Sequence, residues 1–188
     1  MAEVVSTNQF KTGMAIQIDG QPFTIVDFQH VKPGKGGAFV RTKVRNIANG
    51  AVLDETFRAG EKFDRVHTES RKMQYLYATE DEVVLMDNQS YEQVSVSPRM
   101  AEAALEWVVE NMEVDLFYID GVPFEVQAPN FVELEITKSD PGVRGDTAQG
   151  GTKPATLETG VTVNVPLFIE QGERIKVDTR TREYLGRA

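Results

Sequence analysis

Along residues 14–57 apolar and polar positions alternate with the two-residue period of strands that bury one face. Residues 14–18 and 22–31 flank Asp19-Gly20, and a run from Ala38 to Ala48 is joined through Asn49-Gly50 to residues 52–57. Asp-Gly and Asn-Gly between alternating runs predict tight antiparallel hairpins, because such turns need residues that accept positive φ. Four to five short strands within the first 65 residues predict a small SH3-like barrel. From Val66 the pattern restarts. Residues 73–77, 83–86 and 91–96 read as strands, and 114–119 with 123–126 as a hairpin around Asp120-Gly121. Between them Pro98 introduces one amphipathic helix over 99–111, with Glu102, Glu106 and Glu110 on its polar side and Trp107 on the side expected to enter a core. Strands interrupted by one short helix predict an OB-type barrel.

Ala128-Pro129-Asn130 marks a second junction. A strand at 131–136 is followed by a Gly/Thr/Asp-rich stretch, 139–157, read as a long loop, and then by short strands at 161–165, 167–169, 174–177 and 184–185. Loops of that length within a domain are usually functional or disordered, and Arg144, Lys153 and the glycines of this one suit contact with phosphates. The fold class expected is therefore all-β: three small barrels, an SH3-like domain over 1–65 and OB domains over 66–128 and 129–188. No residue-level repeat accompanies this echo of patterning.

One hairpin end stands apart. In Val31-Lys32-Pro33-Gly34-Lys35-Gly36-Gly37-Ala38-Phe39-Val40-Arg41, a single lysine sits among glycines between two strand-like runs. Pro33 fixes its own φ, and Gly34, Gly36 and Gly37 are expected to accept positive φ and to leave no side chains around Lys35. The amine would then project from the sheet as a finger suited to a narrow anionic slot. The competing reading is a mobile tip with an ordinary solvated lysine. Lys32, Lys35, Arg41, Lys43 and Arg45 concentrate positive charge here, and Ala38-Phe39-Val40 anchors the loop's exit.

Charge sharpens that contrast. The 188 residues carry a formal net charge of -9, unpromising for a partner of nucleic acid until it is divided. Residues 1–65 hold nine basic against seven acidic side chains, 66–128 hold three against thirteen, and 129–188 hold eight against nine. The excess acid lies in the middle, so the ends can meet polyanions while the middle faces solvent or a basic protein. The chain has no cysteine, which removes disulfides, thiolate metal sites and cysteine nucleophiles. It has no apolar run near the ~20 residues that span a bilayer, and its first residues lack a signal-peptide pattern. A soluble, cytoplasmic protein is expected, without metal or cofactor.

Catalytic patterns are missing. His30 and His67 are isolated, no Ser or Thr follows Lys35 as a phosphate-binding P-loop requires, and Asp81-Glu82 lies in a turn. A Schiff-base role for Lys35 would need burial to lower its pKa, and an exposed tip does not provide it.

Taken together, the Lys35 stretch, Pro129-Asn130-Phe131-Val132-Glu133-Leu134-Glu135, Asp140-Pro141-Gly142-Val143-Arg144-Gly145-Asp146-Thr147-Ala148 and Lys153-Pro154-Ala155-Thr156-Leu157-Glu158-Thr159-Gly160 resemble bacterial elongation factor P over essentially the whole chain. The resemblance implies three β-barrel domains in an L shape like a tRNA. It implies a factor, not an enzyme, that binds the 70S ribosome between the P and E sites, contacts rRNA and peptidyl-tRNA, and relieves stalling at consecutive prolines. By position, Lys35 matches the residue that meets the CCA end and that many members modify by β-lysylation or an aminopentanol group. A lysine-modifying enzyme is then an implied partner, and a monomer is implied. Pro33, Gly34, Gly36 and Gly37 would shape the loop, and Lys32 and Arg41 would touch phosphate. Gly145, Asp146 and Thr147 match the third-domain loop near the E-site codon. Tyr184 and Arg187 match terminal positions facing ribosome or tRNA. Two alternatives accompany this reading: a paralogue of the same architecture, and a general RNA-binding OB-fold protein.

Overall fold

Local turn chemistry sets the first sheet. The protein is described by a computed structural model that covers residues 2–141 and 150–188. Asp19 and Gly20, with φ of 50° and 77°, make the two-residue turn between β2 (Ala15–Ile18) and β3 (Gln21–Val31), setting Ile18 opposite Gln21. With the register so fixed, Ile16, Phe23 and Ile25 point inward; a slip of one residue would expose all three. They meet Val40 and Val44 from β4 (Phe39–Asn46) and Phe57 from β5 (Val52–Arg58). β1 (Val4–Ser6) and β6 (Lys62–Val66) complete the six-stranded order β1-β6-β2-β3-β4-β5. Buried Thr7 ties the chain's start to the turn after β5: its hydroxyl accepts from the Gly60 N–H at 2.7 Å, and its own N–H donates to the Glu61 carbonyl at 2.9 Å.

A second sheet runs β11-β10-β7-β8-β9, from β7 (Thr68–Ala78), β8 (Val83–Asp87), β9 (Gln93–Val96), β10 (Glu113–Ile119) and β11 (Val122–Gln127). The helix α1 (Pro98–Leu105) packs Ala101 and Ala104 onto Met73, Leu85 and Leu116. The third sheet runs β14-β13-β12-β15-β16, from β12 (Phe131–Ser139), β13 (Thr152–Leu157), β14 (Thr162–Pro166), β15 (Arg174–Asp178) and β16 (Glu183–Arg187). Its core is Val132, Leu134, Ile136, Leu157, Val165 and Ile175 with their neighbours. All-β architecture with one short helix is thus observed. The chain divides into two compact units: one runs to Glu69 and takes in the turn Ile119–Val122, and the other holds Ser70–Tyr118 with Pro123–Ala188.

Several expectations change in detail. The helix stops at Leu105 rather than near residue 111, so Glu110 is not on it. The Trp107 N–H donates to the Ala104 carbonyl at 2.9 Å, and Trp107 then leaves the helix to enter the core of the third sheet. Residues 152–157, expected within a loop, form β13 between β12 and β14. Residues 167–169 turn instead of forming a strand.

Candidate nucleic-acid interface

The β3–β4 ladder runs unbroken at its outer end to Val31 opposite Phe39, so residues 32–38 project as a loop from two long paired strands. All of Lys32 through Gly37 is exposed. Of the three loop glycines only Gly36 takes positive φ, at 109°; Gly34 and Gly37 do not, contrary to the expectation for them. What Gly34 and Gly37 supply is open space, because a Cβ on either would meet nothing within 4 Å. At Gly36 a Cβ would lie 4.0 Å from the Pro33 ring, so backbone conformation rather than crowding demands glycine there.

Alternation on β4 sends Val40, Thr42 and Val44 inward and Arg41, Lys43 and Arg45 outward. Cross-strand partners decide how much of that charge is available. Lys43 lies opposite Asp27 and Asp54, whereas Arg41 lies opposite Gln29 and Thr56. Arg58, which the sequence did not single out, lies opposite Phe39 at the loop's exit. Arg45, at the far end of β4, also lacks an acidic partner, being opposite Thr24 and Val52, so Arg41 and Arg58 are the strand cations without a facing carboxylate that lie nearest the loop. The Arg41 guanidinium carbon sits over the Phe39 ring, 5.7 Å from its centroid. Among the described residues, Lys32, Lys35, Arg41, Lys43 and Arg45 make no ion pair. His30 stands edge-on to Phe28 at 5.8 Å, and no cluster of three potential metal ligands occurs among the described residues.

The third-sheet candidates divide. Gly145, Asp146 and Thr147, with Arg144, lie outside the described residues. Tyr184 is half-buried and packs on the core, while Arg187 is exposed and forks onto Glu173 at 2.8 and 3.3 Å. That fork raises the Arg187 pKa and holds the Glu173 carboxyl below its ordinary value. The guanidinium also covers Phe168, 5.2 Å from the ring centroid. Lys153, expected to face phosphate, is buried instead and donates to the Asp140 carbonyl at 2.8 Å. Exposed Phe168 and Phe131 were not singled out, because alternation marks faces and not which outward apolar residue sits beneath a cation.

Comparison with known proteins places this geometry. Residues 6–63 match the model for the Elongation factor P (EF-P) KOW-like domain, 68–126 that for the Elongation factor P (EF-P) OB domain, and 132–187 that for Elongation factor P, C-terminal. Elongation factor P of Natranaerobius thermophilus is 52% identical over 184 residues, covering 98% of each chain. The chain belongs to the elongation factor P family. Moorella thermoacetica elongation factor P is 49% identical over 185 residues, covering 98% of this chain and all of that one. Among solved structures, eukaryotic translation initiation factor 5A from Methanococcus jannaschii is similar at a TM-score of 0.53 and 26% identity, over 68% of this chain and 95% of that one. Membership in the elongation factor P family makes the chain a translation elongation factor and not an enzyme. It gives the sheets their names: KOW-like (SH3-like) for the first and OB for the second. No helix among the described residues is long and apolar enough to cross a membrane.

Proposed function

We propose that this elongation factor binds the 70S ribosome between the P and E sites, contacts peptidyl-tRNA and rRNA, and stimulates peptide-bond formation at consecutive prolines. The observation that carries the proposal is the exposed Lys35, without an ion pair among the described residues, at the end of a hairpin whose strands stay paired to Val31 and Phe39. Long paired strands give the loop a firm base, and glycine neighbours leave the amine unobstructed. Peptide-bond chemistry belongs to ribosomal RNA; the factor's contribution is positioning. Proline reacts slowly because its ring disfavours the attacking geometry. Lys35, packing against the CCA end with Lys32 and Arg41 on nearby phosphates, would hold the donor in line, and alignment of reactants can remove several of the roughly 7–11 kcal/mol available to such effects.

The proposal includes three domains, 1–65, 66–128 and 129–188, with Pro33, Gly34, Gly36 and Gly37 shaping the loop. Gly145, Asp146 and Thr147 act near the E-site codon, and Tyr184 and Arg187 face the ribosome or tRNA. The factor works as a cytoplasmic monomer, and Lys35 is the residue a lysine-modifying enzyme would extend, a longer cationic arm reaching further along a phosphate backbone. In cells lacking the factor, the wild-type chain is expected to restore a reporter containing consecutive prolines and Lys35→Ala to fail while accumulating normally. Full rescue by Lys35→Ala overturns the assignment of the tip.

A further inference from the structure

We propose that the outer face of the third sheet, around Phe131, binds one unpaired RNA nucleotide, with its base stacked on the Phe131 ring and its phosphate held by Lys176 and Arg180. Phe131 opens β12, and since Val132 is buried, alternation sends the Phe131 ring outward, where it is 47% exposed. The Lys176 amine lies over the ring, 5.3 Å from its centroid, and the Arg180 guanidinium carbon 5.7 Å from it, so a base reaches the ring as Lys176 moves out to the phosphate. A hollow of about 500 Å³ borders the ring, with Val109 and Met112 as its apolar wall and Arg174 and Lys176 at its basic side. Hollows of roughly 300–1,000 Å³ hold small organic ligands, and one nucleotide is within that range.

The charges around the hollow give the occupant its orientation. Arg180 is held by Asp178 through Nε at 3.3 Å and Nη2 at 3.0 Å, so its position at the ring is set by that carboxylate. Arg174 is engaged as well, donating to the Glu133 carbonyl at 2.8 Å and lying 3.8 Å from the Glu158 carboxylate. Lys176 makes no ion pair among the described residues, which leaves it the cation most open to a phosphate. Glu133 and Glu158 also line the hollow and repel an anion placed inside it. A neutral base with N–H donors can lie there, while its phosphate remains at the cationic rim. This separation favours a nucleotide over a bare anion or an acidic peptide, and stacking on an exposed aromatic beside basic groups is how unpaired nucleic acid is commonly held. The site is in a different unit from Lys35 and does not depend on the role of that residue.

The test is an NMR titration of the isotopically labelled full chain with adenosine 5′-monophosphate, and in parallel with inorganic phosphate and tetraglutamate. Saturable shifts of the Phe131 ring and Lys176 signals by the nucleotide are expected, with affinity weakened at least about tenfold by Phe131→Ala and weakened by Lys176→Gln. Unchanged Trp107 fluorescence checks folding, and Lys176→Gln, at an exposed position, keeps the test open should Phe131→Ala unfold. No shift at these residues, equal shifts from phosphate or tetraglutamate, or unaltered binding by both variants would overturn the proposal.

Discussion

Trp107→Ala should loosen the second unit far more than a change in a helix tail would suggest. Trp107 follows α1 yet is only 4% exposed within the core formed by Leu134, Leu157 and Ile175, and Arg182 stacks 5.4 Å from its ring centroid. An aromatic side chain buries on the order of 150–250 Å². At about 25 cal/mol per Å² that is roughly 4–6 kcal/mol, and partial collapse of the cavity brings truncations of this type to about 3–5 kcal/mol. Loss of the exposed cation–π contact adds about 0.5–1 kcal/mol. A total near 4 kcal/mol corresponds to roughly a thousandfold faster amide exchange through unit opening, since each 1.4 kcal/mol is about tenfold. The readouts are the Ile136 N–H, bonded to the Glu173 carbonyl at 2.9 Å, and the Leu157 N–H, bonded to the Val161 carbonyl at 2.8 Å. The Ile25 N–H, bonded to the Met14 carbonyl at 2.8 Å in the first unit, is the internal control and should not change. Acceleration below about fivefold at Ile136 and Leu157, or equal acceleration at Ile25, would refute the reasoning.

Asp87 accepts from the Gln89 and Ser90 N–H groups, and Asp178 from Arg180, so both carboxyls are held below their ordinary values. Groups depressed on folding contribute stability above the unfolded pKa and lose it as pH falls through the folded one, so stability should decline below about pH 4; Asp87→Asn should flatten that decline in urea titrations at stepped pH. Gly36→Ala, at φ 109°, should impair rescue of the proline reporter more than Gly34→Ala or Gly37→Ala, with equal protein levels. Asn46 is buried, accepts from the Ala48 and Asn49 N–H groups at 2.8 and 3.2 Å and donates to Gln21 at 2.8 Å. Asn46→Ala should therefore cost about 1–3 kcal/mol by urea unfolding of the first unit.

What the chain reveals on inspection is what short-range chemistry decides. Asp19-Gly20 and Asp120-Gly121 turn as predicted because their φ values, 50° and 77°, 48° and 81°, are those a tight hairpin needs. The Lys35 loop was legible for a similar reason: glycine spacing and bordering strands are local. The helix end was not, because a tertiary partner decides it, the third core drawing Trp107 off the helical path. β13 was hidden by its own composition. Pro154 argues against an interior strand, and Lys153 is polar at a position that proves buried, its amine satisfied by the Asp140 carbonyl. Phe131, Lys176 and Arg180 are brought together by the pairing of β12 with β15, with Phe131 opposite Asp178, and a long-range register of this kind is not written in either strand alone.

The central claim is that the Lys35 loop meets the end of peptidyl-tRNA. The most direct test places a photoreactive cytidine beside the 3′ end of a P-site prolyl-tRNA on stalled 70S ribosomes, adds the factor, and identifies the crosslinked peptide by mass spectrometry. The account predicts an adduct on the peptide spanning residues 32–41, lost when an excess of unlabelled factor competes. Crosslinks confined to the acidic second sheet, or none under conditions where the factor relieves stalling, would contradict it.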